Sequence, residues 1–179
     1  MAAVGGVPTS AAPMRRAEAE HIDAELRSLL GARELLSGAG MLTGLQKFSG
    51  TQLRRRGSSP KLLVLNTALM SAVGGRSYQE SKDDPEYRGR LIESAVGAHL
   101  AAGQGELFYW REGNREVDFV VGGRGAVTAA EVKSGGRSDS LPGTAAFAAK
   151  HAPTSRLLVR GQGIPLGEFL LTPALEWLA

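Results

Sequence analysis

Apolar residues recur along this chain with two different spacings, and the change from one to the other marks its elements. Ile22, Leu26, Leu29 and Leu30 follow steps of three and four, and Leu35 and Leu36 prolong the stripe, which predicts an amphipathic helix. Gly38 and Gly40 end it, because glycine enters the left-handed conformation that closes helices. Two short extended pieces are expected over 41–48 and 61–65, and the polar stretch 74–85 (GGRSYQESKDDP) reads as a linker. Helical spacing then returns through Leu91, Ile92, Ala95, Val96 and His99-Leu100. Strands are predicted over 107–111, 116–121 and 127–133, joined by two Gly-containing turns. A helix over 141–151 and a strand over 156–160 follow. The apolar stretch 164–179, broken by Pro165 and Pro173, is expected to dock on the core. From residue 86 the order is therefore helix, three strands, helix, strand. Residues 1–20, rich in Ala, Gly, Pro and Ser, carry no period and are expected to form a mobile tail.

The hairpin formed by 41–48 and 61–65 would have a basic tip. Arg54, Arg55 and Arg56 are consecutive, and Lys61 follows just beyond Gly57, Ser58 and Ser59. Helix plus basic hairpin suggests a winged-helix arrangement whose wing touches a phosphate backbone, so these four residues are nucleic-acid-binding candidates. The two helices that normally precede such a module are missing from the pattern, so the segment 21–75 is expected to be partial. An α/β domain over 76–179 completes the expected division.

Composition narrows the chemistry. The 179 residues include no cysteine, which excludes disulfides, thiolate metal sites and a cysteine nucleophile. No apolar run approaches the ~20 residues that span a bilayer, and no basic, Leu-rich leader opens the chain, so a cytoplasmic protein is expected. The net charge of +3 is too small to name a partner by itself. His21, His99 and His151 lack metal-ligand spacing, and His99 is expected to be a packed or surface residue and not a ligand. Tyr109 and Trp110 are expected to pack the sheet, and Gly122-Gly-Arg-Gly to be a turn between strands instead of a phosphate loop.

Candidate chemistry concentrates at Asp118 in EVDFVV and at Glu131 and Lys133 in AAEVKSG. Alternate strand residues share a face, so Glu131 and Lys133 point together while Val132 turns to the core. Charges in such apolar strands are costly unless paired or bound to a metal. The spacing lets Asp118 and Glu131 converge across an antiparallel ladder, with Glu93 on the leading helix adding a further carboxylate and Glu116 beside them. Paired carboxylates suit magnesium, or manganese in its place, and such an ion activates water toward a phosphoryl group. Lys133 would orient that water or stabilise the transition state. A plain ion pair between Lys133 and either carboxylate is the alternative.

These residues, Glu93, Asp118, Glu131 and Lys133, resemble the signature of the PD-(D/E)XK nuclease superfamily, and the element order resembles its αβββαβ core. More closely, the chain is similar to the C-terminal domain of unknown function attached to many prokaryotic AAA-type ATPases. The matching segments are LLSGAGMLTGLQKFSG (35–50), SSPKLLVLNTALMSAV (58–73), GRLIESAVGAHL (89–100), LFYWREGNREVDFVV (107–121) and AAEVKSG (129–135). The resemblance implies a restriction-endonuclease-like α/β fold, nucleic acid (DNA first) as partner, and an AAA-type ATPase as a second partner. Where relatives often carry an aspartate in the strand after SSPK, this chain has Asn66. No G-x-x-x-x-G-K-[ST] is present, so ATP hydrolysis is not expected of this chain, which reads as a shortened member or a fragment. The rival expectations are a recognition module without cleavage and a module that docks an ATPase.

Overall fold

The computed structural model describes residues 21, 24–25, 28, 31–50, 59–103, 105–123, 125–133 and 141–178. The expected tail over 1–20 and the hairpin tip with Arg54, Arg55 and Arg56 lie outside them. The chain divides into two compact units, 1–40 and 41–179. In the first, residues 31–38 are helical and Gly40 closes the helix with φ +67°, as its lack of a Cβ allows.

The second unit is built on one six-stranded sheet, β1 (Leu42–Lys47), β2 (Lys61–Val64), β3 (Glu106–Glu112), β4 (Arg115–Gly123), β5 (Ala126–Val132) and β6 (Ser155–Val159). Its order is β2-β1-β3-β4-β5-β6. Strands β3, β4 and β5 form an antiparallel meander, and β6 returns parallel to β5. That return is made through helix α4 (Pro142–His151), because parallel neighbours need a crossover. The remaining helices are α1 (Thr67–Val73), α2 (Tyr78–Asp83), α3 (Pro85–Ala101) and α5 (Leu166–Leu171), with a 3-10 turn at Ala174–Leu178. From α3 onward the order is helix, three strands, helix, strand, followed by α5.

The β1–β2 hairpin does not stand apart as a wing in this unit. It pairs with itself antiparallel, and β1 joins β3 in parallel through Gln46 and Lys47, so the hairpin extends the sheet. The compact unit that contains the hairpin begins at Met41. Two helices also occupy stretches where none was expected. Asn66 caps α1 by accepting from the amides of Ala68 and Leu69. Inside the supposed linker, Ser77 and Glu80 form a reciprocal capping box for α2, and Asp84 with Pro85 opens α3.

The sheet is covered on both faces. One core joins Ile92, Val96 and Leu100 of α3 to Phe119, Ala130 and Phe169. The other joins Phe147 of α4 to Phe108, Trp110, Val117, Val120 and Ala129. Gly97 lets α3 lie close, since a Cβ there would come within 2.8 Å of Phe119 and Leu63. Gly143 does the same for α4, where a Cβ would sit 1.8 Å from the carbonyl oxygen of Glu116. Docked over the sheet in this way, α3 and α4 bring Glu93 and Thr144 toward the end of β4 and β5.

Candidate active site

Asp118 occupies an irregularity in β4. The β3–β4 register slips by one residue between the pairs Phe108↔Val120 and Trp110↔Val117, leaving β4 one residue longer. Val117 and Val120 consequently lie in the same core although they are three apart, while Phe119 and Val121 lie in the other. Such a bulge re-aims the side chains beside it. The regular β4–β5 ladder ends at Phe119↔Ala130, one step before Asp118 and Glu131. There the Asp118 carboxylate takes over a main-chain role, its Oδ2 accepting the amide of Val132 at 2.8 Å. That amide lies between Glu131 and Lys133, so all three sequence-predicted residues meet at the end of these two strands.

Glu131 and Lys133 point the same way while Val132 packs in the α3-side core. Lys133 Nζ is 3.4 Å from Glu131 Oε1, and the Thr144 hydroxyl of α4 donates to Glu131 Oε2 at 3.2 Å. The Glu131 side chain is only 13% exposed and that of Lys133 22%, so this is a half-buried pair and not a solvated surface contact.

A second set of charges adjoins the first. Lys61 Nζ lies 2.8 Å from Glu93 Oε1 and 2.9 Å from Glu116 Oε1. Lys61, expected with the arginines of the hairpin tip, is thus turned to two carboxylates of its own chain, and Glu93 is held by it. Burial works against the Lys61 ammonium, but the hydrogen bonds to Glu93 and Glu116 outweigh it and hold the pKa above the usual lysine value. Arg111 reaches Glu116 from the rim at 3.8 Å.

Asp118 registers the whole cluster. Burial pushes its pKa up to about 7, and the charges of Glu131 and Glu93 push the same way. The Val132 amide and Lys61 pull it down without compensating. A buried carboxylate crowded by two others is a place where a cation is stabilising. Among the described residues no three or more His, Cys, Asp or Glu side chains are placed to hold a metal ion together. The donors that remain, Asp118 and Glu131, are hard oxygens. Oxygens of this type are the donors magnesium takes, alongside several waters.

The other candidates fall elsewhere. His99 packs against Phe169 with ring centroids 5.3 Å apart, and its Nε2 lies 2.9 Å from the Thr172 carbonyl. Trp110 is buried among Phe147 and its neighbours, and the Tyr109 hydroxyl donates to the Ser59 carbonyl. Two participants were not read from the sequence. Thr144 had no motif to mark it. Lys61 was noticed only as part of a basic run, and its partners lie 32 and 55 residues away.

With this geometry in place, one comparison bears on the chain. Residues 88–168 match the family model of a domain of unknown function, DUF4143. The match runs from α3 into α5 and includes Glu93, Asp118, Glu131 and Lys133. No curated protein and no solved structure matches the chain. Among the described residues, no helix is long and apolar enough to cross a membrane.

Proposed function

We propose that residues 41–179 carry a magnesium-dependent phosphodiester-cleaving site of the PD-(D/E)XK nuclease-like kind, on a restriction-endonuclease-like core. The observation that carries the reading is the hydrogen bond that the amide between Glu131 and Lys133 donates to Asp118, which brings two carboxylates and a lysine to the same strand ends. Asp118 and Glu131 would hold the ion, with manganese as its substitute. The ion would supply Lewis-acid stabilisation of phosphoryl charge and a more acidic water. The chain's own contributions are positional. Thr144 fixes the Glu131 carboxylate, and the Lys133 ammonium holds the attacking water or a phosphoryl oxygen. Water oxygen forms the new bond to phosphorus as the bond to the leaving sugar oxygen breaks, and that oxygen ends protonated.

The partner on this reading is nucleic acid, with DNA as first choice, in a cytoplasmic setting, and Arg54, Arg55 and Arg56 supply phosphate contacts. The test is cleavage of labelled DNA and RNA in magnesium or manganese by the wild type, Asp118→Asn and Lys133→Ala. Both variants are expected to lose at least about a hundredfold in rate, the scale set by removal of one transition-state donor. Unchanged cleavage in both would contradict the assignment. A second reading is a recognition or ATPase-docking module without cleavage, favoured by the absence, among the described residues, of a three-residue metal group. It predicts no cutting, and binding whose salt slope flattens when the three arginines are replaced.

A further inference from the structure

We propose that Lys61 is the built-in second cation of this site, so that the site takes a single divalent ion, at Asp118 and Glu131, and Glu93 and Glu116 are not ligands. This rests on the metal reading above and goes beyond it by fixing the number of ions and the residue that sets it. Four carboxylates share one region: Lys61 joins Glu93 to Glu116, and Asp118, two residues along β4 from Glu116, accepts from the amide next to Glu131. Among the described residues, the ammonium groups that contact them are those of Lys61 and Lys133. With all four carboxylates ionised, the balance among the described residues is two negative charges, which one divalent ion neutralises. Arg111 alters this little, because its contact with Glu116 is long and its side chain is 64% exposed and screened.

Geometry divides the cluster in the same way. Lys61 Nζ lies within 2.9 Å of both Glu93 and Glu116, at distances typical of charge-assisted hydrogen bonds. Each therefore has one carboxylate oxygen committed to an ammonium. Lys61 is placed there by the fold: it opens β2, and Leu63 of the same strand packs in the core with α3, the helix that carries Glu93. Glu131 is held differently, by the neutral Thr144 hydroxyl at 3.2 Å and by Lys133 at 3.4 Å, both longer than the two Lys61 contacts and therefore more easily given up to an ion. Without Lys61 the cluster would carry three uncompensated charges, with Glu93 and Glu116 released as a second pair of hard oxygen donors.

The experiment counts bound manganese per chain at pH 8, by calorimetry and by the electron paramagnetic resonance of free ion, in three proteins. The wild type should bind one ion, Lys61→Met two, and Glu93→Gln/Glu116→Gln one, with affinity within about threefold of the wild type. Two ions on the wild type would overturn the inference. So would one ion on a Lys61→Met protein with native circular dichroism, or loss of the ion from the carboxamide pair. If Lys61→Met does not fold, the wild type and the carboxamide variant still decide it. A folded wild type that binds no ion would fail the metal reading as a whole, a result distinct from a wrong count.

Discussion

Asp118 meets two opposed demands, since its carboxylate caps the amide of Val132 while sitting buried beside Glu131 and Glu93. Burial first, and then those neighbouring charges, favour its protonated form in the folded chain. In the unfolded chain it returns to the ordinary aspartate value near 3.8. Between these values the folded state binds the extra proton. Its stabilising contribution is thus complete below pH 4 and is lost as pH rises through about 7. Thermal unfolding followed from pH 4.5 to 8 without divalent ions should show the wild type losing stability relative to Asp118→Asn, by up to about 3 kcal/mol. Magnesium should reverse most of that loss at pH 8. Parallel curves for the two proteins would show that Asp118 is not crowded.

At the scale of elements, the site depends on how closely two helices approach the sheet. Gly143 stands at the start of α4, directly over the β4 main chain, and the atom facing it is a carbonyl oxygen that no rotamer change can move. Gly143→Ala should destabilise the fold by about 3 kcal/mol, at the upper end of overpacking costs. It should also separate Thr144 from Glu131 and weaken magnesium half-saturation about tenfold. Chemical denaturation and a magnesium titration check both, and an alanine variant of wild-type stability would contradict the packing. Element types from β3 to β6 were legible because they rest on local signals. The β4 and β5 alternation, the Gly-containing turns and the apolar spacing of α3 all lie within a few residues of one another. Helices α1 and α2 were missed because their signals are caps and not apolar periods: Asn66 before TALMSAV, and Ser77-x-x-Glu80 inside a polar run. The partners of Lys61 could not be read at all, since they lie on α3 and β4, far along the chain and on elements that are not neighbours of β2 in the sheet. Asp118, Glu131 and Lys133 were legible as a group because a ladder register is nearly fixed by its turn. The bulge beside Asp118 left no mark in the sequence.

For the molecule as a whole, the unit 41–179 carries both cores and every residue of the candidate site. Expressed alone, 41–179 should unfold in one cooperative transition and bind manganese with the affinity of the full chain. A melt without cooperativity would show that the first unit is needed for the fold. Whether this unit cleaves phosphodiesters with magnesium at Asp118, Glu131 and Lys133 is decided by one titration. Magnesium is raised against labelled single-stranded, duplex and branched DNA and RNA, with wild type and Lys133→Ala side by side. Cutting should rise with magnesium in the wild type and be lost in Lys133→Ala. Binding without cutting, across every substrate and with manganese as well, would contradict this assignment.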